Sequence, residues 1–151
     1  MRPLSRRAAL AIGASGAALS IVGFSRSASA AAKEAAEQVA KFTAGKTAEQ
    51  GKVSIELPEI AENGNTVPLS ISVDAPMAAD NYVSEIMVVS EGNPNPGVAT
   101  FHLTPMSGKA QVATRIRLAA TQNIVVVAKA SSGQFFTGQK LVKVTIGGCG
   151  G

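Results

Sequence analysis

From Gly51 onward the apolar residues of this 151-residue chain fall mostly on alternate positions, in seven short runs. A period of two turns one side of an extended chain toward a core and the other toward water, so such runs read as β-strands. Val53, Ile55 and Leu57 alternate with Lys52, Ser54 and Glu56, and Val67, Leu69, Ile71 and Val73 alternate with Thr66, Pro68, Ser70 and Ser72. Pro68 has no N–H to give to a ladder, which predicts an edge strand or one that begins late. Tyr82–Val89 is apolar on both faces, with Tyr82, Ile86 and Val88 expected in the core and Val83, Met87 and Val89 on a second side. Further strands are expected at 98–103, 112–118, 123–130 and 139–146. Turn formers separate them: Glu62-Asn63-Gly64-Asn65, Asp74-Ala75-Pro76, Gly92 to Gly97, Ser107-Gly108 and Ser131-Ser132-Gly133. Seven short strands divided by turns predict an all-β chain, an immunoglobulin-like antiparallel β-sandwich over 51–146. The Trp and the cysteine pair of antibody domains are absent, so the likeness is one of architecture.

Ahead of the strands, Ala31–Gly45 is rich in Ala, Glu, Lys and Gln, the strong helix formers. Ala35, Val39 and Phe42 share a face, and Gly45 supplies a stop. Residues 31–50 therefore read as a short N-terminal helix and its exit.

Residues 1–30 have a different character. Arg6 and Arg7 precede an uncharged stretch from Ala8 to Ser25, and Ala28-Ser29-Ala30 closes it with a cleavage pattern. This is the layout of a twin-arginine signal peptide, which predicts export to a bacterial periplasm, a mature start near Ala31 and no membrane anchor after cleavage. Four of the fourteen basic residues lie before residue 30 with no acid among them, leaving ten bases against ten acids in the rest. The excess charge belongs to the leader, which argues against nucleic acid as a partner.

The twin-arginine route carries folded cargo, yet the chain has no dinucleotide-binding glycine motif, no His/Cys cluster and no cysteine pair. The expectation is no cofactor and no metal, and a partner that travels bound to this chain. The two apolar faces of 82–89 fit the same expectation of a heterodimer. No catalytic constellation is present either. His102 is the one imidazole and reads as a surface group, and Arg115 and Arg117 read as a solvated strand face. The chain is expected not to be an enzyme.

One cysteine stands apart. Cys149 lies in Gly147-Gly148-Cys149-Gly150-Gly151. Four glycines give a sulfur nothing to pack against and give the backbone wide freedom, so 147–151 reads as a swinging arm that carries a thiol. At about 3.3–3.6 Å per extended residue, the sulfur would reach on the order of 10 Å beyond Ile146. Glycine's small cross-section suits an arm that threads a narrow channel, with activation of the thiol supplied by whatever it enters.

The terminal run Val142-Lys143-Val144-Thr145-Ile146-Gly-Gly-Cys-Gly-Gly, the twin-arginine leader and the immunoglobulin-like body together resemble the SoxY family, the sulfur-carrier subunit of the SoxYZ complex of bacterial thiosulfate oxidation. The resemblance implies that Cys149 holds sulfur intermediates covalently. It implies SoxZ as heterodimer partner and transient contacts with SoxAX, SoxB and SoxCD, which respectively load thiosulfate, hydrolyse off sulfate and oxidise the remaining sulfur. Two other readings remain open at this point. A ubiquitin-like Gly-Gly sulfur carrier would need cytosolic activation and a helix between strand pairs. A structural protein would use Cys149 for an intermolecular disulfide.

Overall fold

The structure, a computed structural model, describes residues 25–148, with side chains from Ala30 onward. Helix α1 spans Ser25–Thr43, and nine strands follow: β1 Glu49–Gln50, β2 Val53–Glu56, β3 Ile60–Asn63, β4 Val67–Val73, β5 Val83–Ser90, β6 Gly97–His102, β7 Gln111–Ile116, β8 Gln122–Ala130 and β9 Phe135–Ile146. A single 3-10 turn, Pro105–Ser107, lies between β6 and β7. The seven expected strands are all present. β9 begins four residues before the expected start, and β1 and β3 were not foreseen.

The strands form two layers. One sheet runs β1-β9-β8-β5-β6, with β3 also paired to β9, and the other runs β2-β4-β7. The ladders are antiparallel except at two places along β9: β1 pairs with the start of β9 and β3 with its end, both in parallel. The antiparallel expectation is corrected there. Between those two contacts the chain crosses to the other sheet as β2, where Val53–Glu56 pairs with Ser70–Val73. Gly138 sits under the crossing, where an added Cβ would lie 3.0 Å from the Val53 carbonyl oxygen. β4 proves to be the centre of its sheet, not an edge. Its pairing with β2 ends at Ser70, so Pro68 lies where the strand has only β7 beside it.

The core lies between the sheets. Leu69, Ile71, Ile86, Val88, Ile124, Val126 and Val142 are fully buried there, and each such aliphatic contributes about 1.5–3 kcal/mol. Val83 joins this core, because the ladder slips between Val83 and Glu85, and Tyr82 is only half-buried. The second apolar face of β5 is also covered within the chain. Met87 and Val89 pack with Val127 and Phe135 beneath α1, whose Ala35, Val39 and Phe42 complete the cluster. Phe42 meets Phe135 edge to face, ring centres 5.9 Å apart. The second face therefore belongs to the helix, which removes one of the two reasons for expecting a partner.

α1 starts six residues earlier than the composition suggested and stops as expected. Ala44 and Gly45 have positive φ, and the Gly45 N–H donates to the Ala40 carbonyl at 3.1 Å, a Schellman-type end. No helix among the described residues is long and apolar enough to cross a membrane.

Candidate functional site

Arg6 and Arg7, Cys149, Gly150 and Gly151 lie outside the described residues. The ground on which Cys149 stands is described as far as Gly148. It is built from three stretches of chain: the turn at Gly64, the loop after β7 and the end of β9.

Three backbone hydrogen bonds tie them into a closed ring. The Gly64 N–H donates to the Ile146 carbonyl at 2.7 Å, the Leu118 N–H to the Gly64 carbonyl at 2.8 Å, and the Gly148 N–H to the Leu118 carbonyl at 2.9 Å. The first continues the parallel β3–β9 ladder past Asn63 and Ile146. Gly64 and Gly148 are both buried. Neither position has room for a side chain. A Cβ on Gly64 would collide with the Leu118 carbonyl oxygen and lie 2.7 Å from the Gly148 nitrogen, and a Cβ on Gly148 would lie 2.8 Å from the Gly64 carbonyl oxygen. A Cβ on Gly147 would collide with the Ala119 carbonyl. The arm was expected to begin at Gly147. Instead Gly148 is buried against the body and Gly147, though exposed, runs beside the Ala119 carbonyl, and glycine is required at both because backbones approach too closely for anything larger.

The loop that grips the tail is itself held by buried amides. The Asn93 side-chain oxygen accepts from the Ala119 N–H at 2.9 Å and from Gln122 Nε2 at 2.8 Å, and its Nδ2 donates to the Arg117 carbonyl at 2.9 Å. Gln122 Nε2 also donates to the Ala120 carbonyl, and its oxygen accepts from the Gly92 N–H at 2.7 Å. Asn93 and Gln122 are 3% and 5% exposed, so these bonds act away from water, where an unmade one is costly. Every buried side-chain nitrogen and oxygen among the described residues has a partner. Thr121 adds a further tie, its hydroxyl oxygen accepting from the Val144 N–H at 3.0 Å. Sequence reasoning took Gly64 and Asn93 for turn formers and passed over Gln122. Nothing in the local pattern distinguishes a buried Asn that braces a neighbouring loop from one that merely turns the chain.

The other singled-out residues lie elsewhere. His102 is on the surface, with Nδ1 3.7 Å from the Glu85 carboxylate, which also approaches Lys129 at 4.0 Å. Arg115 and Arg117 are exposed and line a cleft of about 250 Å³ between the β6 and β7 edges. Among the described residues no group of three or more His, Cys, Asp or Glu could hold a metal ion.

Fold and tail define a class: a small β-sandwich whose last strand ends in a backbone clasp, with the chain's one cysteine immediately beyond it. The sequence matches the family described as sulfur oxidation protein SoxY over residues 39–149, a span that ends on Cys149. Among solved structures it resembles the sulfur carrier protein SoxY from Chlorobium limicola f thiosulfatophilum, at 30% identity and a TM-score of 0.65, covering 78% of this chain and 98% of that one. Superoxide reductase (neelaredoxin) from Ignicoccus hospitalis is 20% identical, with a TM-score of 0.56, over 62% of this chain and 80% of that one. A variant of the Archaeoglobus fulgidus enzyme of the same name is 16% identical, with a TM-score of 0.51, over 65% and 97%. At those identities the likeness to superoxide reductases is one of fold. No curated protein matches the sequence.

The chain belongs to the SoxY family. Membership supports a carrier role in sulfur oxidation and implies a partner within the Sox complex.

Proposed function

We propose that this chain is the covalent sulfur-substrate carrier of periplasmic thiosulfate oxidation, with Cys149 as the attachment point. The observation that carries the reading is the family match, which extends through the clasp to the cysteine itself. The clasp supports it, since it brings the residue before Cys149 to a defined place on the body.

The chemistry follows from the thiol. SoxAX, a haem c enzyme, removes two electrons as the Cys149 sulfur bonds to the outer sulfur of thiosulfate. The thiol proton is released and Cys–S–S–SO₃⁻ forms. SoxB adds water across the terminal S–S bond, releasing sulfate and a proton and leaving a persulfide on the cysteine. SoxCD, where it takes part, passes electrons from the outer sulfur to its acceptor and takes oxygen from water, and a second hydrolysis restores the thiol. The carrier contributes the thiol and its presentation, and the catalysts bring the redox centre and the hydrolytic machinery.

SoxZ is the proposed partner in a heterodimer. Once α1 is in place, Ile60 and Leu141 remain 58% and 52% exposed on the outward face of β3 and β9, beyond the end that the helix covers. Export by the twin-arginine route, with cleavage after Ala30, accounts for Arg6, Arg7 and Ala28-Ser29-Ala30. Among the α1 residues whose side chains are described, Ala31, 8% exposed, is the first buried one, so a start there would keep every described buried residue of the helix.

Intact-mass spectrometry of the protein purified from its natural periplasm tests the carrier assignment. Sulfur or thiosulfate-derived mass on the peptide containing Cys149 is expected. A terminal thiocarboxylate would instead mark the ubiquitin-like alternative, and a reducible homodimer the structural disulfide.

A further inference from the structure

The carrier reading treats the glycines around the thiol as one arm, but the structure divides them. Gly147 and Gly148 are parts of a closed backbone ring, in which each of Gly64, Leu118 and Gly148 donates its N–H to a carbonyl of another segment. Gly64 is the centre of the ring, donating to Ile146 and accepting from Leu118. It is also the position where a methyl group would strike two of the three segments at once. The loop side is braced from below by Asn93 and Gln122. A turn, a loop and two buried amides thus converge on the residue that precedes the only cysteine.

We propose that this clasp fixes the exit point of the tail, with Gly64 as its positioning residue, so that the thiol is delivered one residue from a fixed root rather than three residues from Ile146. The inference rests on the carrier reading and deepens it. A trans peptide step is about 3.8 Å, so Cys149 is one step from a pinned atom and its sulfur stays close to the rim formed by the 62–65 turn and the 117–121 loop. An enzyme that acts on the cargo must then dock at this end of the sandwich and meet that rim. A short tether from a fixed root confines the sulfur to a small volume, and chemistry that needs near-attack placement gains from this. A three-residue tether from Ile146 would sample a larger one.

Two measurements decide it, both on the full mature chain with its native partner. The first is amide hydrogen exchange. The Gly148 N–H is expected to be protected at least about a hundredfold more strongly than that of Gly150, and Gly64→Ala is expected to abolish the difference while the core amides of Val88 and Val126 stay protected. Equal, unprotected exchange at Gly148 and Gly150 in the native protein would overturn the clasp, whatever the cargo. The second lengthens the tether without touching the ring, by inserting two glycines between Gly148 and Cys149. With a fixed root, enzymatic loading with thiosulfate, read as kcat/KM, should fall about tenfold or more while reaction of the thiol with a small disulfide is unchanged. With a loose tail the same insertion costs less than about threefold, and that result would also overturn the proposal. The insertion keeps the test decisive should Gly64→Ala fail to fold. A protected Gly148 in a protein whose Cys149→Ser variant still turns over thiosulfate would separate failure of the carrier reading from failure of the clasp.

Discussion

At the scale of single residues, glycine at the C-terminus does two different jobs. Gly147 and Gly148 are small because carbonyls of Ala119 and Gly64 stand where a Cβ would be. Gly150 lies two residues past Gly148, whose N–H closes the ring, so it is the cleaner position at which to test passage through an enzyme channel. Gly150→Val widens and stiffens the tail beside the sulfur. It should lower enzymatic loading about tenfold or more and leave reaction with a small disulfide unchanged. Gly148→Val could not separate these effects, since its side chain would also break the ring. Asn93 acts at one remove. Asn93→Ala leaves the Ala119 N–H, the Arg117 carbonyl and one Gln122 proton without partners. It should cost about 2–3 kcal/mol of unfolding free energy in urea titration and should speed exchange at the Gly148 amide. The cysteine stands out in the sequence because its surroundings are so unusual. The clasp does not, because Gly64, Leu118 and Gly148 are far apart in the chain and make their contacts through backbone atoms that every residue has.

At the scale of elements, the period-two pattern found the strands with one covered and one open face. β4, with burial alternating residue by residue from Val67 to Val73, was found with its true ends. β1 and β3 escaped because they are short and polar and pair only with an edge of β9, so their residues carry little apolar signal. β5 was found, but the meaning of its second face was not. An unbroken apolar strand fits a subunit interface and a helix-covered sheet equally well, and only packing tells them apart. Here Met87 and Val89 lie under α1 with Phe135. Phe135 is 6% exposed, and Phe135→Ala should destabilise the fold by about 3 kcal/mol through loss of the helix contact, measured by urea unfolding, with the thiol's reaction with small disulfides unaltered.

At the scale of the whole molecule, a rigid two-layer body with no catalytic constellation in the sequence ends in a clasp, and the chain's one thiol follows that clasp. Rigid body and short tether are complementary: the sandwich gives partners a surface to recognise, and the clasp fixes where the cargo emerges. The proposed twin-arginine leader belongs to the same scale, since on that proposal the chain crosses the membrane folded and partnered. Replacing Arg6 and Arg7 by lysine should leave the chain and its partner in the cytoplasm, as fractionation would show, and unchanged periplasmic accumulation would contradict that route. The most direct test of the carrier reading is steady-state thiosulfate oxidation by the reconstituted Sox proteins with Cys149→Ser in place of the native chain. Oxygen at that position cannot form the S–S bond, so turnover should fall to background while the circular dichroism and thermal unfolding of the variant match the native protein. Native turnover by the serine variant would show that the sulfur is carried elsewhere.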